Sequence, residues 1–339
     1  MSQTGKQGVG VSAAADELKP DATGVALSSA DDEFHAPDEN PWYLETFWFS
    51  YHVPERNLEG YIYTKFYPNQ GIYGGGALVW DDSAYLPWEI LYYDLQWHLP
   101  WPSDLKTLRD CSLPNGTGLR CLEPLKKYHV TYQSEEHEVD VVWDAVLPAF
   151  SQPRGNVPYL FAGHIDHPGR VTGTIRLRGE TLEVDCIAQR DRSWGPRLEN
   201  PALRMGYCHA VQSARSGFLV ITNPTDSGDT ILSGYRMKDG ELGHFVSGER
   251  TLERDQNGNP TRSILRGIDG MGRRFEAVGT VLNRVAFLAS TGIFNVLSLT
   301  RWDFDGVVGY GEDQDLFHPA RWRDFIRKYR AGRGKAGRR

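Results

Sequence analysis

Hydrophobic and polar side chains alternate with period two through much of the chain, the spacing of half-buried β-strands. Phe47, Phe49, Tyr51 and Val53 share one face against Thr46, Ser50 and His52. Leu91, Tyr93, Leu95, Trp97 and Leu99 do the same against Asp94, Gln96 and His98, and Val139, Val141, Trp143 and Ala145 follow the rule. Further on come Val171, Ile175 and Leu177 against Thr172, Thr174, Arg176 and Arg178, then Phe275, Ala277, Gly279 and Val281. Turn signals at 178–180, 238–240, 257–260 and 269–272 separate these runs. Helical spacing is clear only from Pro319 to about Arg330, where Trp322, Phe325, Ile326 and Tyr329 form a stripe. Strands recurring every ~8–12 residues without intervening helices predict an all-β protein, built as antiparallel barrels or sandwich halves and carrying a C-terminal helix.

Residues 1–33 are mostly Ser, Ala, Gly and Asp and are expected to form a disordered leader, with order beginning near Pro41. Two β-units meeting near residues 165–175 would account for the length. The expected division is therefore 34–170, 171–318, and a helix with a basic tail over 319–339. Both faces of Leu86–Trp101 carry large side chains, with Trp88, Ile90 and Tyr92 opposite Tyr93, Leu95 and Trp97. Sheet-on-sheet packing or the wall of a cavity would each explain this. Gly74-Gly75-Gly76 inside a strand-like run predicts a close backbone approach or a bulge.

Composition supports the strand reading, since 10 Trp, 16 Tyr and 14 Phe accompany 36 Gly and 19 Pro. The net charge of −7 hides an asymmetry: 321–339 holds nine Lys and Arg against Asp324 alone, leaving about −15 on the remainder. Such a body does not suit nucleic acid. The basic end reads either as a solvated terminus or as a weak electrostatic contact with acidic lipid or another protein. No apolar run approaches the ~20 residues of a membrane span, and Met1–Gly10 lacks a secretory pattern, so a soluble, cytoplasmic chain is expected. Cys111, Cys121, Cys186 and Cys208 are widely spaced and form neither a zinc nor a redox motif. Free thiols are expected, with a Cys111–Cys121 bridge across the 114–118 turn left open.

The most specific stretch is a hairpin, Gly169–Leu177 and Gly179–Asp185, followed by Arg190-Asp191-Arg192-Ser193-Trp194-Gly195-Pro196-Arg197. It delivers a carboxylate and a tryptophan to one corner. This corner resembles the Asp-His-x-Trp-Gly corner of the carotenoid 1,2-hydratase (hydroxyneurosporene synthase) and AttH-like family. Gly309–Asp315 is similar to a family segment near the last strand. The resemblance implies a pair of lipocalin-like β-barrels and cofactor-free hydration, dehydration, isomerisation or cyclisation of apolar, often isoprenoid or polycyclic, molecules. It also implies that Asp191 matches the family's acid, while Arg192 stands where histidine is usual. Protonating an alkene needs an acid whose pKa is raised by burial and aromatic faces to stabilise the cation. Asp191 and Trp194 are candidates for those parts. Arg192 or Arg197 within ~4–6 Å would instead hold Asp191 as a carboxylate that acts as a base or only pairs.

Other groups fall into place around that corner. His164 alternates with Asp166 on one strand face and is a candidate for proton transfer, whereas His167 falls on the opposite face, which disfavours a metal site. Tyr207 and His209 share a face as candidate pocket groups, and Trp88, Glu89, Tyr93 and Trp97 as candidate pocket lining, with Glu89 read as a buried acid or as paired or exposed at a strand end. Glu312–Asp315 lacks the pattern of a calcium loop and is expected as a solvated turn. No phosphate loop, dinucleotide fingerprint or nucleophile elbow is present. Taken with the family resemblance, these features lead to the expectation of a lyase or isomerase without cofactor or metal, acting on a terpenoid- or steroid-like molecule in a β-barrel pocket. Arg192 is expected to touch the substrate. The alternative is a non-catalytic carrier of the same fold.

Overall fold

The computed structural model describes residues 27–152, 163–197, 200–225 and 228–336. The first β-unit holds β1 (Tyr43–Val53), β2 (Leu58–Tyr67), β3 (Ile72–Trp80), β4 (Tyr92–Pro100), β5 (Asp110–Ser112) and β6 (Thr117–Glu123). It continues through β7 (Lys127–Gln133), β8 (His137–Ala145), β9 (Phe150–Ser151), β10 (Gly163–Leu177) and β11 (Glu180–Pro196). These make one antiparallel sheet in the order β4-β3-β2-β1-β11-β10-β8-β7-β6-β5, with β9 on β10, curled into a half-barrel.

The second unit holds β12 (Arg204–Ser213), β13 (Ser216–Thr225), β14 (Gly228–Lys238), β15 (Glu241–Arg254) and β16 (Pro260–Asp269). It ends with β17 (Arg274–Val281), β18 (Val285–Ser290), β19 (Ile293–Phe304) and β20 (Val307–Phe317). Pairing of β17 with β19 closes eight of these strands into a barrel, and β18 extends from β19. Helix α1 (Pro319–Ala336) packs on this unit through its aromatic stripe, with Trp322 against Phe294 and Phe317.

Each unit has its own filled interior. Phe47, Phe49, Tyr128 and Trp143 belong to the core of the first, and Phe218, Phe275 and Trp302 to that of the second. The expected pocket inside a barrel is therefore not what forms. Two further clusters, one around Trp48, Tyr61, Trp80 and Phe287 and one around Tyr207, Ile221 and Leu316, lie where the units face each other. The opposite face of β1 explains this: Trp48, alternating with Thr46, Ser50 and His52, is buried even though its neighbours are polar.

The division between units falls after Pro196 rather than at 170/171, because β10 and β11 pair along fifteen positions and cannot be split between sheets. Order also begins before Pro41. Residues Ser29–Asp32 form a short 3-10 helix capped by Ser28, and Asp32 is buried at the mouth of the half-barrel. There it accepts from Tyr128 Oη at 2.6 Å and from Leu125 N at 2.6 Å and pairs with Arg190 at 2.5 Å. An acid among Ser and Ala looks solvated in sequence, but a partner far along the chain anchors it. The rest of the expected leader, 1–26, lies outside the described residues.

Gly75 and Gly76 have φ of 141° and 147°, and a Cβ on either would collide with the carbonyl oxygen of Tyr63 or Asp94. The register of β3 on β4 shifts there, as expected for the glycine run. The two-faced segment Leu86–Trp101 is not one strand: 86–91 turns and β4 is the sheet's edge, so Tyr93 and Trp97 are partly exposed. All four cysteines are free.

Candidate functional site

Antiparallel register builds the site in two adjacent rows across the first unit. One row runs Asp166, Asp191, Trp48, Tyr63 on β10, β11, β1 and β2. The next runs His164, Ser193, Thr46, Lys65 on the same strands. Directly opposed side chains on one face lie ~5 Å apart at Cβ, so each row forms a contiguous strip. The second unit contributes Met205, Tyr207, Ile221, Asn295, Gln314 and Leu316 from the facing side. Between them is a narrow chamber of about 80 Å³. Past Lys65, Arg197 and Ile293 it meets an outer vestibule of about 350 Å³ rimmed by Trp42, Leu44, Tyr67, Asn200 and Leu203.

The polar heart is a carboxylate–imidazole pair with a second carboxyl beside it. His164 Nε2 lies 3.0 Å from Asp166 Oδ1, which also accepts from Tyr207 Oη at 2.5 Å, while Asp166 Oδ2 accepts from Gln152 Nε2 at 2.8 Å. Ser233 Oγ in turn donates to Gln152 Oε1 at 2.8 Å. Burial works to raise Asp166, but His164, Tyr207 and Gln152 outweigh it and hold the carboxyl below the ordinary range. Burial likewise works to lower His164, yet the charge and hydrogen bond of Asp166 prevail and raise it. Each partner thus favours the charged form of the other.

Asp191 behaves oppositely. Burial, reinforced by Asp166 and Glu312 and opposed by His164 and Arg197, pushes its carboxyl up to about 7. Two carboxyls facing each other across a strand pair are driven apart in proton affinity, and the one with donors keeps the charge. Buried polar atoms without a hydrogen-bond partner gather at the same chamber: His164 Nδ1, Trp48 Nε1 and Asn295 Oδ1. Together they offer a proton, two N–H groups and an acceptor to whatever enters.

Of the residues singled out from sequence, Asp191, His164 and Tyr207 are brought together here. Trp194 is not beside Asp191. Three positions apart on a strand means opposite faces, and Trp194 stacks on His35 with ring centroids 4.0 Å apart. The aromatic plane next to Asp191 is Trp48, its cross-strand partner. Arg192 also points away, pairing with Glu45 at 2.7 Å in a buried contact, so it neither lowers Asp191 nor reaches the chamber.

His209 does not line the chamber. It sits in a buried neighbouring cluster with Glu312, His52 and Glu59, its Nε2 3.6 Å from Glu312 Oε2. Trp88 and Tyr93 line a separate surface groove with Trp322 and Ile326, and Glu89 is exposed at the 86–90 turn rather than buried. Trp97 does not line the chamber, although Lys65 Nζ lies 4.4 Å from its ring centre. Glu312–Asp315 is no solvated turn but a buried part of β20. Asp313 and Asp315 face inward to Arg250 and Arg254, and Glu312 and Gln314 face the first unit.

Trp48, Tyr63, Lys65, Asn295 and Gln314 escaped the sequence reading. Lys65 had a signal, an isolated lysine alternating with Tyr61 and Tyr63. Burial, with Arg197 adding, drives its pKa well below the ordinary range, against the favourable faces of Tyr63 and Trp97.

Two antiparallel β-units with separate cores and a polar-lined chamber between them define a double lipocalin-like β-protein. The model of a family described as a domain of unknown function (DUF7064) matches residues 28–313, and the chain belongs to that family. No curated protein matches it. Among solved structures, an AttH-like protein of Nitrosomonas europaea superposes with a TM-score of 0.61 at 16% identity, over 88% of this chain and 98% of that one. Kievitone hydratase from Nectria haematococca gives 0.55 at 12% identity, over 89% and 98%. CghA gives 0.53 at 10% identity, over 82% and 88%. These likenesses concern the fold, and they agree with the fold implied by the AttH-like resemblance.

Proposed function

We propose that the chain is a cofactor-independent enzyme of the hydratase, dehydratase, isomerase or cyclase kind, acting by acid–base chemistry on a hydrophobic terpenoid- or steroid-like molecule. The observation that carries this reading is the buried Asp191 carboxyl, poised at about 7 beside the hydrogen-bonded His164–Asp166 pair and the face of Trp48. That one of the structural neighbours is named as a hydratase supports the reaction class. In this reading the reacting end of the molecule enters the inner chamber while its apolar body stays in the vestibule.

Asp191 gives its proton to an alkene carbon, so an O–H bond breaks as a C–H bond forms. The cation left on the neighbouring carbon lies against Trp48 and Tyr63. Water then adds and returns a proton to the Asp191 carboxylate, or loss of an adjacent C–H proton to the same oxygen gives the isomerised alkene. His164, with Nε2 held by Asp166, directs Nδ1–H at the chamber and steadies the carboxylate formed.

The test is mass spectrometry of a hydrophobic metabolite extract incubated with the chain in D₂O. Expected are compounds that gain or lose one water or take up deuterium, at a rate reduced ~10²–10⁴-fold in Asp191→Asn. The rate of the wild-type chain should decline as pH rises above about 7, where Asp191 loses its proton. Compounds that bind and are all returned unchanged would leave a carrier and end the catalytic reading.

A further inference from the structure

On the second unit, the direction of a hydrogen-bond chain is set from one end. Glu312 is buried on β20 and offers its carboxyl oxygens as hydrogen-bond acceptors. It accepts from Gln314 Nε2 at 2.7 Å. The amide nitrogen of Gln314 is thereby turned to Glu312, and its carbonyl Oε1 faces the other way, accepting from Asn295 Nδ2 at 2.8 Å. The same step repeats at Asn295. With its nitrogen committed, Oδ1 is the end left over, and this buried atom has no hydrogen-bond partner. The two ends of an amide are alike in shape, so only such a chain decides which is presented.

Glu312 is enclosed by other buried polar groups. Burial, with Glu312 adding, pushes the facing Glu59 carboxyl well above the ordinary range. His209 Nε2 lies 3.6 Å from Glu312 Oε2 on the other side. Asn295 itself lines the chamber from the second unit, opposite the strip that carries Asp191.

The geometry points to Asn295 as a specificity-determining residue that offers a hydrogen-bond acceptor, oriented by Glu312 through Gln314, to the hydroxyl of a hydrophobic alcohol. Gln314 and Glu312 are positioning residues for it. The assignment deepens the proposed function and rests on it for the chemistry: the first unit supplies the proton that goes to carbon, and the second holds the O–H group that is added or removed. A hydrocarbon leaves Oδ1 bare, and a ketone or ether turns a lone pair towards it. Both are disfavoured where a site is built to accept from a donor.

Three matched probes test this: α-terpineol, limonene and the ketone carvone, with binding read by tryptophan emission and ligand-observed NMR. The wild-type chain should bind the alcohol roughly tenfold more tightly than either of the others. Asn295→Leu should bring all three within about twofold of one another. Glu312→Gln carries an amide that can donate, which lets the chain reverse and present Asn295 Nδ2, so carvone should gain on α-terpineol. This variant carries the test alone if Asn295→Leu does not fold.

A wild-type chain with no preference, or a preference unchanged in both variants, overturns the assignment. Binding is read without turnover, which separates this outcome from failure of the catalytic reading. Deuterium uptake that depends on Asp191, together with no preference for the alcohol, removes Asn295 alone. A preference lost in Asn295→Leu with no chemistry on any compound removes catalysis and leaves the acceptor in place.

Discussion

Asp191 and Asp166 are chemically identical and directly opposed on β10 and β11, yet their surroundings push their proton affinities in opposite directions. Tyr207, Gln152 and His164 all converge on Asp166, leaving Asp191 to burial. This has a measurable cost. A carboxyl whose folded pKa lies above its unfolded value favours the folded state below the unfolded pKa, and that contribution is lost as pH rises through the folded one. For Asp191 the window runs from the ordinary 3.8 to about 7. Asp191→Asn does not titrate, so its stability relative to the wild-type chain should increase across that window and level off above it. The gain should be at most on the order of 4 kcal/mol, followed by urea denaturation at pH 4 and pH 8. A difference that does not change with pH would mean that Asp191 is not held protonated by burial.

The short 3-10 element at Ser29–Asp32 shows how an element can depend on a distant partner. Asp32 closes the half-barrel on Arg190, whose guanidinium lies 4.1 Å from the centre of the Tyr128 ring, within hydrogen-bond reach of Tyr128 Oη. Asp32→Ala leaves a buried arginine without its carboxylate, and about 3–5 kcal/mol should be lost by chemical denaturation. A solvated leader would predict no loss. Local pattern was enough to reveal the strands, because period two survives wherever one face is apolar, and the helical stripe of α1 was equally plain. What it could not reveal were features set by pairing across the sheet. Trp48 becomes the neighbour of Asp191 through register, and Trp194 is removed from it by the same alternation that identified the strands. Glu312–Asp315 reads as a polar turn because its partners, Arg250, Arg254 and Gln314's neighbour Asn295, lie elsewhere in sequence. The division at 170 failed for a related reason: a long hairpin looks like a boundary until both its arms are seen to pair in one sheet.

Because the chamber takes its walls from both units, a molecule held in it touches both. Binding to the folded state adds RT ln(1 + [L]/Kd), roughly 2.7 kcal/mol at a hundredfold excess over Kd. A bound alcohol such as α-terpineol should therefore move the unfolding of the half-barrel and of the closed barrel together, seen as one shifted denaturation curve by tryptophan emission and by far-UV dichroism. A shift confined to one unit would place the ligand elsewhere, for example in the groove by Trp88.

The separate filling of the two interiors has a further consequence. Since neither hydrophobic core borders the gap on its inner side, the gap's width is governed by side chains such as Met205, Ile221, Ala289 and Ile293 at its edges. Exchanging these for smaller or larger residues would resize the molecule admitted without disturbing either core. The size of the gap can therefore change while the architecture of both units stays fixed.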